Sequence, residues 1–234
     1  MKTTLLVMTL NEIGGLKAIM PLVKRKWIDQ ILIADGSSND GTIEWCRAQG
    51  YEVVVCPTKG LTNAYLTAWP KIEGDIVIYF SPDGNSVPDA IPDLIEKMHK
   101  GYDMVIASRY LGSAKSYDDS RVTAFGNFMF RTLINLFFKP KTSAVMTDPI
   151  VMFRAHKKEL PENLGINRLE PLDKFFGTNS CWMPLLSIRA LKQNIRWTEI
   201  PVDEPSRIAG QRKLQVFRYG ILHLSQIFRE WLWA

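Results

Sequence analysis

The chain has 234 residues, 46% of them hydrophobic and 23% charged, with 15 glycines and 13 prolines. That balance excludes disordered, collagen-like and low-complexity proteins, and the length suffices for one large α/β domain with a full core, with or without a C-terminal appendage. The net charge of +5 suits phosphate-rich small molecules, nucleic acid or an anionic membrane surface without choosing among them.

The pattern predicts a buried strand over Thr4–Met8, then a helix carrying Leu16, Ile19, Met20 and Val23 and closing at Lys24-Arg25-Lys26. A second strand, Gln30–Ala34, ends in the turn-rich run Asp35 to Gly41. A short helix (Thr42–Gln49), a third strand (Tyr51–Cys56), a helix (Leu61–Trp69) and a fourth strand (Asp75–Phe80) follow. Pro88–Lys100 reads as a helix with proline in its first turn, and Asp103–Ala107 as a fifth strand. Strands this apolar, alternating with helices, indicate a mostly parallel sheet covered on both faces. After Ser108 the rhythm changes to a polar loop (Gly112–Ser120), an aromatic-rich helix (Val122–Phe138) and a strand over Ile150–Phe153. A helix (Cys181–Gln193), a short strand (Trp197–Pro201), a basic loop (Arg207–Lys213) and a terminal helix (Leu214–Trp233) complete the chain. We read 1–213 as one domain, with 1–110 and 111–213 as its halves, and 214–234 as a C-terminal amphipathic helix.

No run of 18 apolar residues offers a membrane span, and the N-terminus lacks the plan of a signal peptide. Cys46, Cys56 and Cys181 are odd in number and form no C-x-x-C, and His99, His156 and His223 are scattered. Both features predict reduced thiols of a cytoplasmic protein rather than disulfides or a zinc site. The basic residues form no stripe with interleaved aromatics, which argues against nucleic acid.

In open parallel sheets, ligands bind beyond the carboxyl ends of the strands. The residues placed there are Thr9 to Glu12, Asp35, Ser81 to Asn85, and Ser108-Arg109. Three acidic groups and an arginine on one rim suit a diphosphate held through a divalent metal. Neither G-x-G-x-x-G nor G-x-x-x-x-G-K-[ST] is present, which removes most support for dinucleotide and P-loop chemistry.

Val7-Met8-Thr9-Leu10-Asn11-Glu12, Asp35-Gly36-Ser37-Ser38-Asn39-Asp40-Gly41-Thr42 and Ser81-Pro82-Asp83-Gly84-Asn85 resemble the ordered motifs of family 2 glycosyltransferases with the GT-A fold. Ser108-Arg109-Tyr110, Thr147-Asp148 with Phe153-Arg154, and the run Glu199–Lys213 resemble its dolichyl- or polyprenyl-phosphate mannose synthase branch. The resemblance implies an inverting, metal-dependent transfer of sugar from a GDP- or UDP-sugar to a polyprenyl phosphate. By it, Thr9, Glu12 and Asp35 would hold base and ribose, and Asp83, with Asn85, would hold Mg²⁺ or Mn²⁺. Arg109 and Arg121 would meet the acceptor phosphate or leaving diphosphate, and Arg207 and Lys213 would close over the phosphates. The chain departs from the pattern at Ser81, where the family has the first aspartate of its D-x-D, and at Met8 and Leu10, where Pro and Tyr are common.

Plainer readings stand beside these. Asp35-Gly36-Ser37 can be a tight turn, Asp83 an Asx-turn or cap residue, and the two arginines ion-pair partners. Asp40 braces its own turn, and His156 and His223 are ordinary residues. The terminal helix, with Leu214, Phe217, Ile221, Leu224, Phe228 and Leu232 at helical spacing, is either packed on the core or laid in a membrane interface as a peripheral contact. A hydroxyl acceptor on a glycan would need a carboxylate base, for which Glu170 and Asp173 are the candidates, although a solvated or capping acid is the plainer reading of each. Ser81 also leaves open a nucleotide-sugar-binding protein with little or no turnover.

Overall fold

The structure, a computed structural model, describes residues 1–58, 60–140, 144–166, 182–208 and 216–232. Among these, β1 (Thr3–Thr9), β2 (Gln30–Asp35), β3 (Glu52–Val55), β4 (Ile76–Phe80), β5 (Met104–Ser108), β6 (Arg154–Lys157) and β7 (Trp197–Pro201) form one sheet ordered β3-β2-β1-β4-β6-β5-β7. Every neighbouring pair is parallel except the two made by β6, which runs against both β4 and β5.

All seven residues of β1 are buried because both faces of the sheet are covered. Leu6 and Met8 join one core beneath α3 (Leu61–Ala68), α5 (Arg121–Phe138) and α7 (Trp182–Lys192). Leu5 and Val7 join the other, beneath α1 (Ile13–Ile19) and α4 (Ile91–His99). Helices α2 (Thr42–Ala48), α6 (Leu160–Asn163) and α8 (Val216–Leu232) complete the set. The first helix stops at Ile19 rather than running on to Lys24-Arg25-Lys26, because Pro21 turns the chain into a 3₁₀ segment, Met20–Leu22.

The strand expected over Ile150–Phe153 lies instead at Arg154–Lys157. Its polar letters disguise it, since Arg154 and His156 are both fully buried. Arg154 is held by neutral oxygens: Nε donates to the Val151 carbonyl at 3.0 Å, Nη2 to the Pro149 carbonyl at 3.1 Å and Nη1 to the Ser187 hydroxyl at 2.9 Å. These bonds make the guanidinium tolerable in the core and fix the turn that precedes β6.

The terminal helix has two faces. Leu222, Gln226, Ile227 and Glu230 are buried, while Phe217, Ile221, Phe228, Trp231 and Leu232 stand exposed. On the inner side Arg189 of α7 forms an ion pair with Glu230 at 3.0 Å, and at the edge the half-exposed Trp231 ring stacks on Phe137 of α5 at 5.1 Å. No described helix is long and apolar enough to cross a membrane.

Candidate active site

The carboxyl ends of β1, β2, β4 and β5 open onto a cavity of about 850 Å³. The register pairs Thr9 with Asp35 across β1 and β2, and the Thr9 hydroxyl donates to Asp35 Oδ2 at 2.7 Å. The Ser38 hydroxyl and backbone N–H complete the shell of the same carboxylate, each at 2.7 Å. Thr9 and Glu12 line the cavity, whereas Asp35 is fully buried behind them. Asp35 therefore shapes the pocket wall from within it. Asn11 and Ser37 hold positive φ angles of 53° and 67°, a conformation that costs a non-glycine residue energy and collects at functional rims. Asp40 braces this corner as expected, accepting from the backbone N–H of Thr42 at 3.0 Å and of Ile13 at 3.2 Å.

The β4 end is clamped from below. A Cβ at Gly15 would sit 2.3 Å from the Pro82 carbonyl oxygen, so only glycine lets α1 approach the Pro82-Asp83 turn. Gly84 follows with φ of 103°, which turns the chain back so that the Asn85 N–H donates to Asp83 Oδ1 at 3.0 Å. The other oxygen, Oδ2, meets Arg207 Nη2 at 2.8 Å. Asn85 Nδ2 donates to the Pro205 carbonyl at 3.1 Å, and Asn85 Oδ1 is buried with no hydrogen-bond partner.

An orphaned amide oxygen two residues from a carboxylate fits a hard divalent cation. The charge around it points the same way. Glu12, Asp83, Asp118, Asp119, Asp203 and Glu204 line the cavity, against Arg109, Arg207 and Arg218 among the described residues. A diphosphate entering such a wall needs a further cation. Among the described residues no three His, Cys, Asp or Glu side chains cluster to ligate one, so water and phosphate oxygens would fill most of its shell. Ser81, in the place of the missing aspartate, lines the cavity and adds no charge.

Arg109 reaches the cavity wall, but carboxylates already hold it. Nε and Nη2 grip Asp148 at 2.7 and 2.9 Å, and Nη1 lies 3.2 Å from Glu204. Burial opposes its charge, and the two carboxylates more than restore it, raising the guanidinium well above its ordinary value. The same burial raises the Glu204 carboxyl against the pull of Arg109. The ion-pair reading of Arg109 is thus the one its geometry shows. Arg121 stands exposed at the start of α5, outside the cavity lining that its neighbours Val122 and Thr123 provide. Lys213, Glu170, Asp173 and Cys181 lie outside the described residues.

Sequence patterns did not single out Asp118, Asp119 or Asn127, which enter the cavity from the polar loop and α5. Asn127 Nδ2 donates to the Tyr110 hydroxyl at 2.6 Å and to Asp119 at 3.1 Å, and Tyr110 also donates to Asp119. Polar-loop composition gives no spacing signal from which this cluster could be found. His223, set aside as ordinary, also faces the cavity, edge-on to Phe130 at 5.3 Å.

Sheet order, covered faces and a cavity on one carboxyl rim define a GT-A architecture. The glycosyl transferase family 2 model matches residues 4–159, and the chain belongs to that family. It is 26% identical over its whole length to the dolichol-phosphate mannosyltransferase of Pyrococcus furiosus, of which it spans 64%. It is also 26% identical, over 80% of its length, to an undecaprenyl-phosphate 4-deoxy-4-formamido-L-arabinose transferase of Klebsiella pneumoniae, of which it spans 53%. Among solved structures, the glucosyl-3-phosphoglycerate synthase of Mycobacterium tuberculosis, in complex with Mn²⁺, UDP and glucosyl-3-phosphoglycerate, superimposes with a TM-score of 0.58 at 19% identity. That match covers 99% of this chain and 78% of the synthase. A mycobacterial protein matches with a TM-score of 0.70 at 18% identity, over 99% of this chain and 73% of that one.

Proposed function

We infer that the protein transfers a sugar from a nucleoside-diphosphate sugar to a polyprenyl phosphate, with inversion at the anomeric carbon. The observation that carries the donor half of this reading is the Asp83 carboxylate beside the orphaned Asn85 oxygen, on the rim shared by Thr9 and Glu12. Thr9 and Glu12 face the base and ribose, and Met8 and Leu10 supply apolar wall beside them. Asp83 and Asn85 would hold Mg²⁺ or Mn²⁺, which when bound neutralises the departing diphosphate. Arg207, already within the cavity, reaches the phosphates from the loop after β7.

The acceptor oxygen attacks the anomeric carbon in line as the bond to the diphosphate breaks, and the nucleoside diphosphate leaves with the electron pair. An ionised lipid phosphate needs no general base, so the protein has only to hold it in place. Support for a lipid acceptor comes from the relatives' names and from the helices at the cavity mouth. Val122 and Gly126 of α5 and Val216 and Gly220 of α8 line the cavity, while Phe125, Phe128, Phe217 and Ile221 project outward beside them. We read this face as a peripheral membrane contact, with Arg121 and Arg131 of α5 available to anionic headgroups.

The Asp119 carboxylate within the cavity favours a second reading, transfer to a hydroxyl acceptor with a carboxylate as base. Thermal unfolding with UDP, GDP, CDP and dTDP, with and without Mn²⁺, tests the donor site. A bound nucleotide at about 100 times its Kd stabilises by about 2.7 kcal/mol. One nucleotide should do so in wild type, dependent on Mn²⁺, and not in Asp83→Ala. No stabilisation by any of the four overturns the donor site. Transfer assays with polyprenyl phosphate and with glycan hydroxyls then separate the two acceptors.

A further inference from the structure

Arg207 occupies the Asp83 oxygen that the Asn85 N–H leaves open. Nη2 lies 2.8 Å from Asp83 Oδ2, and Nη1 lies 4.0 Å from Glu12 Oε1. Its Nε is buried with no hydrogen-bond partner, so the guanidinium is engaged at one end and unsatisfied at the other. The backbone around it is tied to the same turn. The Ile208 N–H donates to the Asp83 carbonyl at 2.8 Å, and Asn85 donates to the Pro205 carbonyl. Farther back, Glu204 is fixed by Arg109 and by backbone bonds with Lys115 and Tyr117. The base of the loop is therefore anchored, so an exchange at Asp83 would require only the Arg207 side chain to move.

A guanidinium and a divalent cation on one carboxylate oxygen repel each other at close range, so each weakens the other's hold. We propose that Arg207 and the divalent cation are alternative occupants of Asp83: without nucleotide the guanidinium excludes the free cation, and a diphosphate, by offering Arg207 an anion of its own, releases the carboxylate to the metal. The proposal rests on the reading of Asp83 as the metal's carboxylate ligand. It makes the site selective for metal and nucleotide together. The coupling between them is carried by Arg207 and is the same in either direction.

Electron paramagnetic resonance of free Mn²⁺ tests this by direct binding, in wild type, Arg207→Gln, Arg207→Met and Asp83→Asn, each with and without the nucleoside diphosphate that stabilises the fold. Methionine controls for ligation of Mn²⁺ by the glutamine amide. Without nucleotide, both Arg207 variants should bind Mn²⁺ about tenfold more tightly than wild type, the size of a typical coupling. Nucleotide should tighten Mn²⁺ binding about tenfold less in these variants than in wild type. Mn²⁺ affinity no tighter in either Arg207 variant, with binding in the presence of nucleotide still lost in Asp83→Asn, overturns the exchange and leaves the metal ligand standing. Mn²⁺ binding that survives in Asp83→Asn overturns both.

Discussion

The Arg109 guanidinium lies edge to edge with the Asp148 carboxylate, Nε 2.7 Å from Oδ2 and Nη2 2.9 Å from Oδ1. Asp148 is fully buried, and its backbone N–H donates to Glu199 of β7 at 3.0 Å. The pair thus ties the end of β5 to β7 and to the segment before β6, and through Glu204 to the loop that carries Arg207. Arg109→Ala leaves Asp148 buried without its partner and should cost about 3–5 kcal/mol in urea unfolding. Arg109→Lys, which cannot make the two-pronged contact, should recover only part of it. A variant as stable as wild type would show that the guanidinium is held for ligand rather than for fold.

Gly15 governs the height of the Asp83 turn. Gly15→Ala drives a methyl group against the Pro82 carbonyl and should cost about 1–3 kcal/mol as overpacking. Because the displaced backbone carries Asp83, nucleotide-dependent stabilisation should fall along with the melting temperature. Unchanged nucleotide stabilisation in the variant would dissociate that turn from the donor site.

His156 gives stability a specific pH dependence. Burial drives its imidazole down to about 4, against the hydrogen bond to the Lys157 carbonyl and with help from neighbouring Arg154. The unfolded chain takes up the proton near pH 6.5 while the folded one does not, so stability falls as pH drops from 6.5 towards 4. The loss between pH 7 and pH 5 should be about 2 kcal/mol from this residue. His156→Phe, which keeps a ring against Tyr79, should flatten the urea-derived slope over that interval.

The outward faces of α5 and α8 should behave as one surface. Phe125 is 68% and Phe217 84% exposed, so glutamate at either position leaves the core intact. Phe125→Glu and Phe217→Glu should each reduce co-sedimentation with anionic liposomes about tenfold or more while leaving nucleotide-dependent stabilisation unchanged. Equal sedimentation of the variants and wild type would remove the membrane from the account.

The rim at the ends of β1, β2 and β4 was readable in the sequence because its signals are local. Apolar runs such as Leu5–Met8 and Ile76–Phe80 fill strands buried on both faces, and Asp-Gly-Ser and Pro-Asp-Gly turns close them within a few residues. The other side depends on partners far apart in the chain. Arg109, Asp148 and Glu204 meet across 39 and 95 residues, and no spacing rule foretells that two carboxylates grip the arginine. β6 was misplaced for a related reason: Arg154 and His156 look solvent-facing until the carbonyls that satisfy Arg154 and the aromatic ring that covers His156 are known. The terminal helix packs one face on the core and leaves apolar side chains such as Phe217 and Ile221 exposed on the other, and its spacing alone does not distinguish the two arrangements.

The reversed direction of β6 has a consequence for how such a molecule can change. A strand running with its neighbours delivers its end to the cavity, whereas β6 delivers its beginning, so Ile150 to Phe153 form a wall there. That wall is the tail of the connection from α5, entering the sheet beside β4 from the opposite direction to the strands that carry Thr9 and Asp35. Changes confined to Ile150–Phe153 would recut one wall of the cavity while Asp148, just before them, keeps its grip on Arg109, so new specificity can be grafted onto an unaltered frame.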